Sequence, residues 1–405
     1  MNLALEILKR RGFLKQCTNL EALSDLMDRD RVIFYVGFDA TFSSLHIGHL
    51  IPLMAMMHLE KQGHVPIALV GGGTTRIGDP SGKSEMRRIL SEESIEGNVV
   101  AIKEQLSRIA GFSNSCVFDN SEWLGNLNYI EFLRDIGVHF SVNRMLGFET
   151  YRRRLDAGLS FIEFNYQLLQ SYDFYMLNKI KNCNLQMGGD DQWGNIVSGV
   201  DLVRRKSGGE VFGLTCPLIT RSDGKKMGKS EKGAVYLDLK LYSVYDFYQY
   251  FRNIPDLDVK RFLYLFTFLE EDEIENVSRL EGNLLNKAKE TLAFEITKIV
   301  HGEEASLRAA EAAAAAFKGV GDRGSIPFFE LGLANLGDGI LLIDLMILSR
   351  VAPSKSEGRR LINAGGVYVD KVRIGEQDYC LTKDNFTNGE LELRVGKKKV
   401  LRIIL

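Results

Sequence analysis

Three short runs rich in β-branched and aromatic residues constrain the first half of the chain most. Each ends in a glycine- or aspartate-bearing loop and is followed by a plausible helix. They are residues 32–38 (VIFYVGF), 65–70 (VPIALV, then Gly71-Gly72-Gly73) and 185–187 (then Gly188-Gly189). Strands alternating with helices build a parallel sheet with crossover helices, whose ligand sites lie at the carboxyl ends of the strands. The pattern predicts a doubly wound, Rossmann-like α/β domain over residues 1–220, with an insertion at about 112–160.

The period then changes. Over 221–318, segments such as VYDFYQYFRNI and NKAKETLAFEITKIV carry apolar residues at three- and four-residue spacing, as helices do. Residues 319–337 open with a Gly- and Pro-bearing stretch that reads as a linker. Residues 338–405 read as a small α+β module: two short helices, Gly365-Gly366, then alternating strand runs (VYV, VRI, LELRV, VLRIIL).

The whole chain carries a net charge of -2 across 405 residues, which excludes a uniformly basic nucleic-acid coat. The last module differs, with twelve Lys and Arg against nine Asp and Glu. Its cations Arg350, Lys355, Arg359, Arg360, Lys371 and Arg373 have the footprint of phosphate-backbone binding. A solvated helix face is the other reading of the same charges. The longest apolar runs fall far short of the ~20 residues of a membrane span. The N-terminal segment, with its positive charges after the apolar stretch, reads as an amphipathic helix rather than a leader. Five scattered cysteines exclude a CxxC metal site and fit a reducing, cytoplasmic setting.

Five motifs carry chemistry. His46-Ile47-Gly48-His49 follows the strand end at Asp39, and a helix capped by Ser43 or Ser44 would set both imidazoles on one face. Such an end offers N–H groups to an anion, and Gly48 leaves room for a flat base. Lys225-Lys226-Met227-Gly228-Lys229-Ser230 reads as a cationic loop able to close on polyphosphate, although in isolation such a stretch is more often an exposed loop. Asp79-Pro80-Ser81-Gly82-Lys83 with Arg87 sets a carboxylate and two cations beyond a strand end, without the spacing of a Walker loop. Tyr166, Gln170 and Asp173 fall on one helical face, as a core network or a pocket lining. Residues 186–195 (QMGGDDQWGN) place carboxylates at another strand end, suited either to ribose or to capping a turn.

Together and in this order, these motifs resemble the HIGH-type class I aminoacyl-tRNA synthetases, and within them the bacterial-type tyrosyl-tRNA synthetases. Residues 46–49 match the HIGH signature, and 226–230 match KMSKS except at Gly228. Tyr35 to Asp39, Gly78 to Gly82, Tyr166…Gln170…Asp173 and Asp191 to Gly194 resemble the tyrosine-specific blocks, and the last module is similar to the RNA-binding fold of ribosomal protein S-four.

The resemblance implies a doubly wound catalytic domain, an α-helical domain on the tRNA side and a small α+β RNA-binding domain. It implies that tyrosine attacks the α-phosphate of ATP, with Mg²⁺ travelling with the nucleotide. A terminal ribose hydroxyl of tRNA(Tyr) then takes the tyrosyl group. Thr41, His46, Lys83, Arg87, Lys226, Lys229 and Ser230 would contact the phosphates. His49 and Asp191 would hold the ribose, with Asp39, Gly48 and Gly189 also on the ATP side. Asp79, Tyr166 and Gln170 would take the α-ammonium, and Tyr35 and Asp173 the phenol. Gln186 and Gln192 would complete the tyrosine site. A homodimer through the insertion is implied; a protein-bound metal, an organic cofactor and a membrane are not.

Three departures stand out: Ala40 where the family usually has proline, Gly228 for serine, which would loosen the loop, and Asp190 as a second carboxylate beside Asp191. Two rival readings remain to be separated. Another HIGH-type nucleotidyltransferase would have little use for the basic tail, and a non-catalytic RNA-binding relative would have lost the histidines and lysines.

Overall fold

The computed structural model describes residues 1–81, 90–113, 116–155, 158–220, 222, 227–230, 233–279, 285–318, 328–396 and 399–405. The chain divides into two compact units, Met1–Glu303 and Glu304–Leu405.

The first unit is built on a six-stranded sheet. In chain order its elements are α1 (Leu3–Arg10), β1 (Gln16–Cys17), α2 (Leu20–Arg29), β2 (Ile33–Asp39), α3 (Ile47–Lys61), β3 (Val65–Gly71), α4 (Glu92–Ala110) and β4 (Val117–Asp119). There follow α5 (Ser121–Leu124), α6 (Tyr129–Asp135), α7 (Val142–Leu146), α8 (Glu149–Leu155), α9 (Phe161–Lys181), β5 (Leu185–Gly189), α10 (Trp193–Ser207) and β6 (Phe212–Cys216). The strand order is β1-β6-β5-β2-β3-β4. All neighbours are parallel except the β1 edge, which runs antiparallel to β6. From β2 the chain winds outward through β3 to β4, then returns to lay β5 and β6 on the other side. The reversal between β2 and β5 leaves a crevice at their carboxyl ends, where such sheets bind ligands. Asp39 ends one of these strands and Gly189 the other.

The three strands predicted from sequence appear as β2, β3 and β5. Burial explains their composition: β3 is buried along nearly its whole length, as a central parallel strand must be. The 21-residue α9 begins at a capping box, in which Ser160 and Glu163 satisfy each other's backbone N–H groups. Glu163 is also clamped by Arg154 at 2.9 Å, with both side chains buried. Two antiparallel strands, β7 (Lys229–Ser230) and β8 (Gly233–Ala234), follow β6. The helical part then comprises α11 (Val244–Arg252), α12 (Val259–Phe266), α13 (Glu271–Ser278) and α14 (Leu285–His301). No helix among the described residues is long and apolar enough to cross a membrane.

The second unit begins within α15 (Glu303–Lys318). It continues with β9 (Phe328–Glu330), α16 (Leu333–Leu336), β10 (Ile340–Leu341), α17 (Leu342–Leu348), α18 (Lys355–Asn363), β11 (Val367–Val369), β12 (Val372–Ile374), β13 (Cys380–Leu381), β14 (Glu390–Val395) and β15 (Lys399–Ile404). A five-stranded sheet runs β12-β11-β14-β15-β9, over a core that includes Leu342, Met346, Ile362, Leu393 and Ile403. Here the linker expected over 319–337 needs correction at its end. Phe328–Glu330 pairs in parallel with Arg402–Ile404 and closes the sheet edge. Three residues are too few to display a strand period, so only the tertiary pairing reveals it.

Candidate active site

The loop from β2 to α3 is set by side-chain hydrogen bonds from α4 and from the turn after β3. The Ala40 N–H donates to Thr75 Oγ1 (2.8 Å), and Asn98 Nδ2 donates to the Ala40 carbonyl (2.9 Å). Proline at position 40 would forfeit the first of these bonds. Gln105 donates to the Ser43 carbonyl and accepts from the Leu45 N–H. Residues 45–47 then run alongside 235–237: Leu237 N donates to Leu45 O, and Ile47 N to Val235 O. This pairing keeps the segment extended, so α3 starts later than a Ser43 or Ser44 cap would place it.

His46 is the cap instead. Its Nδ1 accepts from the Gly48 N–H at 3.0 Å, while His49 Nδ1 accepts from the His46 N–H at 3.1 Å. The rings stack with centroids 3.9 Å apart. A ring nitrogen that accepts carries no proton, so both imidazoles are neutral and present Nε2–H donors. Gly48 is needed for this packing, because a Cβ there would lie 2.7 Å from His46 Cε1.

A second cluster joins α9 to the strand ends. Tyr166 donates to the Asp39 carboxylate (3.2 Å), which also accepts from Thr74 Oγ1 at 3.0 Å. Asp79 Oδ2 accepts from Gln192 Nε2 at 2.7 Å. Asn195 Nδ2 donates to both Gln170 Oε1 and Gln192 Oε1, at 3.0 and 3.1 Å. Asp79, Gln170 and Gln192 thus belong to one hydrogen-bonded network, with Asn195 as its link.

Deeper along α9, the two oxygens of buried Asp173 accept from Trp123 Nε1 (2.7 Å) and Asn120 Nδ2 (2.9 Å). Burial pushes the Asp173 carboxyl up to about 7; these two donors oppose the rise, and the charges of Asp39 and Asp119 add to it. The Tyr35 phenol is pushed up by burial, then by the Asp173 charge. Tyr35 Oη and Gln186 Oε1 are buried without a hydrogen-bond partner among the described residues. Asn120 and Trp123 escaped sequence reasoning. They follow a three-residue strand, some fifty positions from Asp173, and carry no periodic signal.

Burial also raises the Asp191 carboxyl, with repulsion from Asp79 next and from Asp190 last. Asp190 is engaged at the sheet edge, where its Oδ1 accepts from Gln16 Nε2 (2.7 Å) and Thr215 Oγ1 (2.9 Å). Gly228 is buried and held, not loosened: its N–H donates to Tyr250 Oη at 3.1 Å and its carbonyl accepts from Val235 N at 2.8 Å. Its φ of +82° suits glycine, and a Cβ there would lie 3.6 Å from Ile47 Cβ and 3.7 Å from Gly48 N. Lys83, Arg87 and Lys226 lie outside the described residues, as do the side chains of Lys229 and Ser230.

In the second unit, Arg350, Lys355, Arg359, Arg360, Lys371 and Arg373 are all exposed. Lys355 pairs with Asp344 at 2.6 Å, and Arg360 grips Glu357 through two nitrogens. Arg350 occupies a left-handed turn after α17, and the Arg373 guanidinium packs on Gly365.

A sheet reversal with stacked histidines at a helix start, a hydrogen-bonded network of Asp79, Gln170, Gln192 and Asn195, and a buried phenol close to a buried carboxylate defines a class I nucleotide-activating domain. The comparisons agree. A family model described as tRNA synthetases class I (W and Y) matches residues 27–318, and one described as the tyrosine–tRNA ligase SYY-like C-terminal domain matches 327–403. Tyrosine–tRNA ligases of Borrelia hermsii and Borreliella burgdorferi are 77% and 69% identical over 406 and 405 residues, covering 100% of both chains in each case. A C-terminally truncated mitochondrial tyrosyl-tRNA synthetase of Aspergillus nidulans shares the fold at a TM-score of 0.69 and 29% identity, over 76% of this chain and 92% of that one. The chain belongs to the tyrosine–tRNA ligase family of class I aminoacyl-tRNA synthetases, enzymes that use ATP to attach tyrosine to tRNA(Tyr).

Proposed function

We propose that the residues above divide the two-step reaction as follows. Tyr35 and Asp173 bind the phenolic hydroxyl of L-tyrosine; Asp79, Tyr166 and Gln170 take its ammonium. Gln192 and Gln186 line the same pocket. Thr41 and His46 meet the phosphates of ATP–Mg²⁺ together with Lys83, Arg87, Lys226, Lys229 and Ser230. His49 and Asp191 hold the ribose, Asp39 and Gly189 border it, and Gly48 leaves space for adenine. The tyrosine carboxylate attacks the α-phosphorus, and pyrophosphate leaves with its growing charge met by cations and by the Nε2–H of His46. A ribose hydroxyl of the tRNA then attacks the adenylate carbonyl and AMP departs. Positioning and charge stabilisation suffice, without a covalent enzyme intermediate.

One observation carries the tyrosine assignment: Tyr35 Oη is buried, with no hydrogen-bond partner among the described residues, close to a carboxylate already oriented by two donors. A phenol supplies both a donor and an acceptor there. Phenylalanine supplies neither and leaves buried polar groups unpaired.

Homodimerisation through the insertion is supported by apolar side chains left exposed in and beside it, among them Ile130, Val138 and Phe161 at 70–71% exposure. We assign tRNA contact to the six cations of the second unit, and the cytoplasm as the place of action, in keeping with five unpaired cysteines. ATP–pyrophosphate exchange with each of the twenty amino acids tests the core of this reading. Exchange with tyrosine alone supports it, and a folded protein that exchanges with none overturns it.

A further inference from the structure

We propose that Phe42 and Tyr236 form a stacking platform for the terminal nucleobase of the tRNA acceptor strand, an inference that rests on tyrosyl transfer to tRNA at this site. The two rings lie nearly parallel, with centroids 4.8 Å apart and planes 23° apart. Among the ring pairs of the described residues only this one and His46–His49 are stacked; the others are tilted or edge-on. Phe42 is 43% exposed.

A single exposed ring needs no explanation, but this one is held out by a rigid loop. On one side Ala40 is bonded through both its N–H and its carbonyl, to Thr75 and Asn98. On the other, Ser43, Ser44 and Leu45 are tied to Gln105, and Asp238 N donates to Ser44 Oγ. Water therefore faces a preorganised apolar ring rather than a side chain that can fold away. With Phe42 partly exposed, a third flat ring can extend the parallel pair, and base–aromatic stacking is insensitive to which base it is.

The location selects the ligand. Tyr236 bridges His46 backbone to backbone, so the platform borders the imidazoles that start α3, one residue beyond Thr41. The proposed function assigns the space at Gly48 to the adenine of ATP. The base that remains is the one attached to the ribose that accepts the tyrosyl group, and it must rest within a nucleotide's reach of the adenylate.

The test uses the full chain with Phe42→Leu, which keeps bulk but loses the flat face, Phe42→Ala, and Phe42→Trp. Activation is followed by pyrophosphate exchange, transfer by single turnover of preformed tyrosyl-adenylate with tRNA(Tyr), and binding with intact tRNA against tRNA lacking its terminal nucleotide. Phe42→Leu is expected to leave exchange within about twofold and to weaken tRNA use about tenfold, the scale of one stacked base. Phe42→Trp should restore it, and the preference for intact tRNA should vanish in Phe42→Leu. Unchanged transfer in Phe42→Leu overturns the platform. A rise in KM for ATP in exchange also overturns it, assigning the ring to the ATP base. Equal losses in both half-reactions for all three variants, with a lowered Tm, reduce Phe42 to a loop support. If the wild-type chain activates tyrosine but transfers it to no tRNA, the functional reading fails first, separately from the platform.

Discussion

Asp173→Asn exchanges a buried carboxylate for a neutral amide of the same shape, and its effect on stability has a calculable pH dependence. The Asp173 carboxyl titrates at about 7 in the folded protein against an ordinary 3.8. A gap of about three units, at ~1.36 kcal/mol each, makes the ionised carboxylate cost about 4 kcal/mol of folding stability. Below both values the group is protonated whether the chain is folded or unfolded, and there is no cost. Between them the folded protein keeps a proton that the unfolded chain has lost, so stability falls as pH rises; above about 7 the full cost is present. The variant has no such dependence. Its advantage over the wild type should therefore grow by about 2 kcal/mol between pH 5.5 and 8.5. It also loses one acceptor, because its amide nitrogen must face either Trp123 Nε1 or Asn120 Nδ2. That loss of ~1–3 kcal/mol is the same at every pH and cancels in the comparison. Calorimetry of both proteins at the two pH values should show the Tm difference moving by about 2–3 °C in favour of the variant at the higher pH. A difference that stays constant, or moves the other way, would refute the assignment of a burial-raised carboxyl at this position.

Asp173→Ala should collapse the preference for tyrosine over phenylalanine; an unchanged ratio of their kcat/KM values in pyrophosphate exchange removes Asp173 from the phenol site. Gly48→Ala drives a Cβ to 2.7 Å from the His46 ring and should slow activation about a hundredfold with little change in KM for tyrosine, measured by the same exchange. Wild-type rates would show that the stacked imidazoles are not needed. Arg154→Met leaves the buried Glu163 carboxylate without its cation and should destabilise the first unit by about 3–5 kcal/mol in urea unfolding, while changing both partners together costs much less. A loss under about 1 kcal/mol for the single change would mean the pair is not buried in solution.

The parts of this architecture that a sequence displays are those with a period or a composition of their own. β2, β3 and β5 are buried apolar runs ending in special loops, and the switch-point crevice follows from their alternation with helices. Tyr166, Gln170 and Asp173 were legible as one helical face, and Asp39, Asp79 and Asp191 as strand-end carboxylates. Elements set by distant contacts were not. α3 starts at Ile47 rather than just after a serine because residues 235–237 hold the preceding segment extended. β9 exists only because β15 offers it an edge. Gly228 reads locally as a residue that loosens its loop, whereas Tyr250 and Val235, about twenty and seven residues further on, hold its backbone. Asn120 and Trp123 reach Asp173 across a gap that no local pattern spans.

Those last two residues belong to a longer chain of hydrogen bonds. Trp123 and Asn120 hold Asp173, Asn120 also donates to Thr74, Thr74 donates to Asp39, and Asp39 accepts from Tyr166. The group that would read the far end of the substrate and the group that borders its nucleotide end are therefore mechanically joined. A protein engineer who wants this pocket to accept a different side chain cannot treat position 173 as an independent dial. An apolar replacement there strands the donors of Asn120 and Trp123, and any rotation of Asn120 to find a new partner pulls on Thr74 and through it on Asp39. Recoding the pocket is consequently a problem in coordinated sets. Variants that change Asp173, Asn120 and Trp123 together should lie closer to function than any path through the single changes.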